Sequence, residues 1–333
     1  MGANDGCKGV SQGVNLETKA ASRPVVLELR MPFSPEAGGD GTPGMLDPRM
    51  VDGHAYVAAL SREVLASAAD YGDCQVEAVA LTGGMAAHVA DDALGSLLRN
   101  VRQRFDVAPR AEVSLRVRPG MVAATSVDMM RIGHVGRVVV DYATSSLDEW
   151  RTLGRKLDPG AMDVTRMVLG PRREGEPGIK LGDREADLAF ELLIGIPGQI
   201  PATARASVEV ALGYGATEVR LEDCKPVANL AAPAAASARH LGIAEQEQVR
   251  TAMGETLSAA GFAEYLPGRW ALPGHESRHE ALSVAGTVEM LGFGLGARTF
   301  FDGVEARNTF DLRTYLCFSD DPERCVATVH RVG

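Results

Sequence analysis

The sequence predicts an α/β protein built as a partial (β/α)6 TIM-like barrel with a short, mainly helical C-terminal appendage. Short apolar runs alternate with helical patterns six times between residues 24 and 225. Strands joined by right-handed helical crossovers lie parallel in one sheet. The chain of 333 residues is long enough for one such barrel plus an appendage, and its apolar content of 45% is that of a protein with a full core.

The stretch from Asp187 to Ala211 contains one complete strand, turn and helix. Leu188–Ile194 is apolar apart from Glu191, which is typical of a strand covered on both faces. Gly195-Ile196-Pro197-Gly198 supplies two residues that tolerate positive φ and a proline of fixed φ, as a turn requires. Pro201 suits the first turn of the helix that follows.

The other units repeat this alternation in chain order. Apolar runs predict strands at Val25–Leu29, Val76–Leu81, Ala111–Val117, Arg137–Asp141 and Thr217–Leu221. Helical patterns are found at His54–Ala69, from Asp91 or Asp92 to Phe105, at Thr125–Ile132 and at Ser146–Gly154. The less regular segment Lys156–Glu185 is expected to hold one helix and a charged loop.

Composition divides the chain into three parts. Residues 1–23 are polar and glycine-rich, which predicts a disordered tail. Residues 24–225 form the barrel. Residues 226–333 form a C-terminal segment, with helices expected at Leu230–Leu241 and Glu245–Ala260.

Charge and cysteine usage limit the partners that the sequence predicts. A net charge of −10 gives no electrostatic reason to expect nucleic acid or an anionic membrane. No apolar run reaches the length of a membrane span, and the start of the chain lacks the apolar core of a signal peptide, so a cytoplasmic protein is expected. The five cysteines are scattered without metal-site spacing, which predicts reduced thiols.

Barrels of this kind work at the rim formed by the carboxyl ends of their strands. The sequence is expected to place five segments at this rim: the loop after Leu29, Gly83-Gly84, Arg116–Gly120, Tyr142-Ala143 and Gly195–Gln199.

Several short motifs occur in a defined order between about residue 25 and residue 310: Met31-Pro32-Phe33, Thr82-Gly83-Gly84, Glu112 with Pro119-Gly120, Leu153-Gly154-Arg155, Gly195-Ile196-Pro197-Gly198-Gln199, Ala260-Gly261-Phe262 with Tyr265, Pro273–His279, and Leu291–Gly294. In this order they resemble the oxygen-independent coproporphyrinogen III oxidases and the related HemW heme chaperones, which are radical SAM proteins with six strand-helix units. The resemblance implies a radical SAM-type barrel, a role in heme or porphyrin metabolism, and a C-terminal HemN/HemW-like segment shorter than in complete members.

The resemblance also implies where a 4Fe-4S cluster would be held. Family members carry C-x3-C-x2-C directly after a proline-phenylalanine pair, and the matching positions here are Ser34, Gly38 and Gly41. Such clusters are held by thiolates, which none of these residues supplies. We therefore expect no 4Fe-4S cluster and no reductive cleavage of S-adenosylmethionine.

The S-adenosylmethionine pocket that the resemblance implies is altered as well. Arg116 and Arg118 replace a glutamate and an asparagine, and Ala143 replaces a glutamine. These losses are expected to weaken binding of that cofactor. The positions that remain are Gly83, Gly84, Arg155 and Glu191, the last of which stands where an aspartate is usual.

Arg116 and Arg118 point to the same face if the strand extends that far, because strand side chains alternate with a period of two. Guanidinium groups suit carboxylates, including tetrapyrrole propionates. One hypothesis is an anion site at the former cofactor mouth. The alternative is that both arginines lie on a solvated rim and pair with nearby acids.

The histidines allow two further hypotheses. His275-Glu276-Ser277-Arg278-His279 fits the zinc hydrolase pattern H-E-x-x-H, although Pro273-Gly274 disfavours a helix running through His275. HemW-like proteins carry a heme-associated histidine at the position of His279, so His279 is a candidate heme ligand.

Three classes of function follow. The chain is predicted to be a coproporphyrinogen oxidase-like or HemW-like relative, a pseudoenzyme that binds heme, another tetrapyrrole or a protein partner without radical chemistry. The alternatives are an active oxygen-independent coproporphyrinogen III oxidase-type oxidoreductase and a zinc hydrolase that uses His275, Glu276 and His279.

Overall fold

The computed structural model describes residues 22–34, 44–155, 159–169, 179–181, 184–224, 240–286 and 288–331. Most of the predicted tail and most of the predicted helix at Leu230–Leu241 lie outside these residues. Within them, parallel strands alternate with helices in the predicted order, so the predicted α/β partial barrel is confirmed.

Six parallel strands form the barrel. They are six of the first seven described strands in chain order, with the short β5 apart: β1 (Arg23–Arg30), β2 (Cys74–Thr82), β3 (Asp106–Val117), β4 (Arg137–Ala143), β5 (Ile179–Leu181), β6 (Arg184–Ile194) and β7 (Glu218–Asp223). Neighbours in the series β1-β2-β3-β4-β6-β7 are parallel, whereas the short β5 is antiparallel to β6. We call the end where the parallel strands begin the lower end, and their carboxyl end the upper end.

Helices connect these strands and cover their outer face. They are α1 (Gly53–Ser67), α2 (Asp91–Arg104), α3 (Ala124–Ile132), α4 (Leu147–Thr152), α5 (Pro159–Leu169) and α6 (Pro201–Gly213). The Asp52 side chain caps α1 by accepting a hydrogen bond from His54 N, and Pro201 lies in the first turn of α6 as predicted. In the described ranges, no helix is both long and apolar enough to cross a bilayer.

The strands separate an apolar outer core from a charged lumen. On β4, Val138, Val140 and Tyr142 belong to the same apolar cluster as buried residues of α1, α2 and α6. The alternate residues Arg137 and Asp141 are equally buried, but Arg137 pairs with acids of β3 and β6, and Asp141 lies near Arg116 of β3. The period of two along a strand therefore directs apolar side chains to the helices and charged side chains inward.

The segment after residue 226 extends the sheet. The sequence predicts a mainly helical appendage here, but the described residues of the segment contain six strands as well as helices. It contains α7 (Ile243–Ala259), β8 (Ala263–Leu266), β9 (Arg269–Ala271), α8 (Arg278–Ala285), β10 (Glu289–Phe293), β11 (Arg298–Phe301), β12 (Val304–Asn308), α9 (Leu312–Phe318), α10 (Pro322–Cys325) and β13 (Val326–Arg331). In the described residues the order is β13-β12-β11-β10-β1-β2-β3-β4-β6-β7-β9-β8. The described sheet is thus open, with β10 parallel to β1.

Arg137 organises the lower end of the lumen. Its side chain is 1% exposed. It donates hydrogen bonds to three carboxylates and two backbone carbonyls: Glu112 at 3.0 Å, Asp187 at 3.1 Å, Glu218 at 2.7 Å, His275 O at 3.0 Å and Glu276 O at 3.2 Å. One cation therefore joins β3, β4, β6 and β7 to the segment that leads into α8.

Further polar contacts attach α8 to the same end. Ser277, which caps α8, donates to Glu112 at 2.8 Å. Glu280 in the first turn accepts from Arg220 at 2.8 Å and from Arg269 at 3.0 Å. Because these partners come from β3, β7 and β9, α8 covers the lower end of the open barrel.

Glu63 of α1 anchors the C-terminal strands. Its carboxylate accepts hydrogen bonds from Gly294 N at 2.8 Å, Asn308 Nδ2 at 2.5 Å and the Tyr315 hydroxyl at 2.7 Å. Complete burial nevertheless raises the pKa of Glu63 to about 7, against the effect of these three donors.

Replacing Arg137 with alanine should lower the free energy of unfolding by about 3–5 kcal/mol, because three carboxylates would lose their shared cation in a buried site. Urea denaturation measures this change. Arg131→Ala is the matched control, since Arg131 is half-exposed and forms an ion pair with Asp128 at the surface; it should cost at most about 0.5 kcal/mol. Equal effects of the two substitutions would contradict the role given to Arg137.

The pKa of Glu63 predicts a pH dependence of stability. Since the pKa rises from 4.5 to about 7 on folding, the folded state holds the proton more tightly, and stability should fall as pH rises between these values. Glu63→Gln lacks this ionisation, so its stability relative to the native sequence should increase from pH 5 to pH 8 by on the order of 1–3 kcal/mol. Urea denaturation at several pH values tests this, with the exposed Glu255→Gln as the control that should show no such trend.

Candidate functional site

The turn after β2 supports the start of the loop after β1. Met85 N donates to Phe33 O at 2.9 Å. Gly84 lies so close that a Cβ atom there would overlap the carbonyl oxygens of Met31 and Phe33, and Gly83 has a φ of +81°, which favours glycine. The two glycines therefore allow the two loops to pack backbone against backbone at the upper end.

Ser34 follows directly in this loop. It is buried, and its backbone N–H donates to Leu46 O at 3.0 Å. The other two predicted cluster positions, Gly38 and Gly41, lie outside the described residues. Of the three positions, only Ser34 therefore has a location that can be compared with the rest of the rim.

The cysteines of the described ranges do not supply an alternative ligand set. Cys224, at the carboxyl end of β7, lies at the upper end, whereas Cys74 begins β2 at the lower end, and Cys317 and Cys325 lie in α9 and α10. Among the described residues, no three His, Cys, Asp or Glu side chains are placed to hold a metal ion. These residues therefore do not fit a 4Fe-4S cluster, which thiolates must hold.

Three arginines meet one aspartate at the upper end of the lumen. Asp141 of β4 lies 3.1 Å from Arg155 Nη1, 3.5 Å from Arg118 Nη2 and 3.7 Å from Arg116 Nη2. Arg116 also forms a close ion pair with Glu191 of β6. The predicted site residues Arg116, Arg118, Arg155 and Glu191 are therefore brought together, and each of the three arginines faces an acid.

Asp141 was not among the predicted site residues. Burial alone would raise the pKa of Asp141, but the guanidinium groups of Arg116, Arg155 and Arg118 outweigh that effect and hold the pKa below its ordinary value. Asp141 therefore remains ionised. The available signal was the single acid of β4, but its three partners could not be read from that strand.

Arg155 is positioned by a strained turn after β4. Ala143 has a φ of +65°, and Thr144 N donates across it to Tyr142 O at 2.8 Å, which is a γ-turn of the rare, strained kind. Trp150 Nε1 then donates to Thr144 O at 2.6 Å, and Arg155 N donates to Trp150 O at 3.0 Å. This chain of contacts holds α4 against β4 and presents Arg155 to the lumen.

The two histidines lie at the lower end, away from the arginines. His275 Nδ1 is 2.6 Å from Asp187 Oδ1, and His279 Nε2 is 3.0 Å from Glu28 Oε1. Helix α8 begins after its cap Ser277, so His275 precedes the helix and the two rings bond to different carboxylates. The zinc hypothesis needs both histidines on one face of a helix, and the described structure does not place them so. His279 is instead hydrogen-bonded to Glu28 where α8 covers the lower end.

No protein-family model matches the chain. Among curated proteins, the heme chaperone HemW of Escherichia coli (strain K12) is 27% identical over 248 residues, which cover 71% of this chain and 60% of HemW. The heme chaperone HemW of Mycobacterium tuberculosis (strain ATCC 25618 / H37Rv) is 26% identical over 229 residues, covering 67% of this chain and 55% of that protein. The chain is homologous to these proteins, and it spans somewhat more than half of their length.

The fold also has a counterpart among solved structures. Coproporphyrinogen III oxidase (HemN) from Escherichia coli, a radical SAM enzyme, superposes with a TM-score of 0.74 over 95% of this chain and 74% of that chain, at 15% identity. At this identity the likeness shows the fold alone, which is that of a radical SAM enzyme.

Proposed function

We propose, from the premise that this chain is a homologue of the HemW heme chaperones with the fold of HemN, that it binds heme or another tetrapyrrole in heme metabolism without radical chemistry. The observation that carries the proposal is the loop after β1. There the positions that match the cluster cysteines of the related family are Ser34, Gly38 and Gly41. A homologue without these thiolates would keep the fold and a ligand but not the reductive step.

The charged lumen supports a non-catalytic role at the upper end. Arg116 and Arg118 stand where the family resemblance implies a glutamate and an asparagine, and both contact the buried Asp141. The groups that would hold S-adenosylmethionine at these two positions are therefore replaced by cations, and we do not propose residual binding of that cofactor. An oxidoreductase resembling coproporphyrinogen III oxidase would need the cluster, for which the described residues supply no ligand set.

His279 is proposed to have a structural role and not to ligate heme iron. Its side chain is 11% exposed, and its Nε2 atom lies 3.0 Å from Glu28 Oε1. Ligation of iron through Nε2 would require the hydrogen bond between His279 and Glu28 to break at the end of the barrel that α8 covers. A tetrapyrrole is more readily accommodated by contacts to its carboxylates at the upper end, with a protein partner as the other class of ligand.

Anaerobic reconstitution with iron and sulfide tests the absence of the cluster. The purified chain should remain without bound iron and sulfide in stoichiometric amounts, and on reduction it should make no 5′-deoxyadenosine from S-adenosylmethionine. The control is an Escherichia coli HemN preparation reconstituted in parallel. A brown protein that carries four irons and cleaves the cofactor would establish the radical enzyme instead.

An absorption titration with hemin tests ligand binding and the role of His279. The wild-type protein should shift the Soret band, and His279→Gln, which keeps a hydrogen-bond donor for Glu28, should give the same shift and the same Kd. A shift lost only in this variant would show that His279 ligates the iron. Absence of any hemin or porphyrin binding would refute the tetrapyrrole proposal and leave the protein partner.

A further inference from the structure

A groove of about 530 Å³ lies between α7 and the strands β7, β8 and β9. Four residues of α7 at spacings of three or four, which share one face of the helix, line one wall: Glu247, Thr251, Gly254 and Ser258. The strands contribute one side chain each: Leu221, Glu264 and Trp270. The groove shares no residue with the arginine cluster at the upper end or with the contacts of Arg137 at the lower end, so it is a separate surface.

Trp270 places an aromatic ring in this groove. It is half-buried, and a Cβ atom at Gly254 would lie 3.2 Å from Trp270 Cζ2, so the glycine lets α7 pack closely against one edge of the indole. The neighbouring Arg269 points to the opposite face, toward Glu280, because strand side chains alternate. Glu264 lies opposite Trp270 in the register of β8 and β9 and therefore shares its face.

The groove carries an excess of negative charge. Three carboxylates line it: Glu247, Glu255 and Glu264. The one cation in the lining, Arg250, lies 2.6 Å from Asp223 and 3.8 Å from Glu247, and Glu255 pairs with Arg205 at 3.1 Å. Together these side chains are four acids and two arginines, a net charge of −2, so negative charge remains even when every pair is kept.

An approaching cation can reach these acids. The Glu247 and Glu255 side chains are 68% and 64% exposed, and ion pairs at such exposure contribute little to stability. A cation over the face of an indole is attracted by the ring, and carboxylates beside it add charge-assisted hydrogen bonds. Lysine and arginine side chains combine such a charged head with an apolar stem that can lie along the groove.

The strand beside the groove favours a polypeptide as the carrier of this cation. In the described sheet, β8 pairs with β9 and ends the strand order. An edge strand offers backbone N–H and C=O groups to a further extended segment. Alternate side chains of a segment added along β8 would point to the face that carries Glu264 and Trp270.

We propose that the groove between α7 and β8–β9 binds an extended, basic segment of a partner protein, with a lysine or arginine side chain over Trp270 and between the carboxylates of Glu255 and Glu264. Because this surface is separate from both ends of the lumen, the proposal does not depend on tetrapyrrole binding.

The test uses three probes on the full chain: a capped eight-residue peptide of alternating lysine and threonine, the same peptide with glutamine for lysine, and spermidine. Calorimetry gives each Kd, and fluorescence reports on Trp270, since the other tryptophan, Trp150, is 2% exposed. The wild type should bind the lysine peptide about tenfold or more tightly than the glutamine peptide, because only lysine supplies the cation.

Two groove variants should weaken binding of the lysine peptide. Trp270→Leu should raise its Kd about fivefold through loss of the cation–π contact. The double variant Glu247→Gln/Glu255→Gln should raise it by about as much or more. Asp128→Asn/Asp148→Asn is the matched control, because it makes the same change in net charge at two exposed acids of α3 and α4 and should leave the Kd unchanged.

Ser258→Arg keeps the aromatic ring and the carboxylates but adds a cation of the chain itself to the groove. It should raise the Kd of the lysine peptide about tenfold, because the two cations repel, and it replaces Trp270→Leu if that variant does not fold.

Four results would overturn the proposal. Equal affinity for the two peptides, or no binding of either, would exclude recognition of the cation. An unchanged Kd in the groove variants would place the peptide elsewhere. An equal loss in the control variant would reduce the effect to net charge. Spermidine that binds as tightly as the lysine peptide and displaces it would identify a free polyamine, and not a polypeptide, as the ligand.

Discussion

Buried charges that must be neutralised inside the barrel are the constraint on which this structure depends. Alternate residues of each strand face the lumen, and at several of these positions the chain carries arginine, aspartate or glutamate. A charge removed from water is tolerated only when it is paired and hydrogen-bonded. Arg137 and Asp141, both on β4, therefore determine which residues of the neighbouring strands and connections must lie beside them. A shift of one residue in the register of β4 would move both charges into the apolar layer under the helices.

The two ends of the lumen meet this constraint differently. At the lower end, Arg137 is surrounded by three carboxylates and two carbonyls, and α8 covers the group. At the upper end, Asp141 faces three partly exposed arginines, and Glu191 pairs with one of them, Arg116. At the lower end α8 covers the charged group, whereas at the upper end the Arg116 side chain is still 34% exposed. This division agrees with the general rule that barrels of this type place function at the carboxyl ends of their strands.

Backbone packing and ion pairs hold the described loops and strands around the lumen. The described contacts that hold the upper loops are backbone hydrogen bonds and the close approach of Gly84 to Met31 and Phe33. The described contacts that hold the lumen are ion pairs between strands. Neither set of contacts uses a thiolate.

The sequence by itself determined the order of the barrel strands and helices between residues 24 and 225, their parallel arrangement, and the presence of Gly83-Gly84 and the paired Arg116 and Arg118 at one rim. These features depend on residues close together in the chain, where the spacing of apolar residues and the turn-forming residues can be recognised. Only the tertiary structure decided that Asp141 joins these arginines and that His275 and His279 lie at the opposite end. It also decided that Arg137 holds the segment before α8, which is more than a hundred residues away in the chain. The physical reason is that the partner of a buried charge depends on strand order, register and the path of distant segments, none of which leaves a local pattern in the sequence.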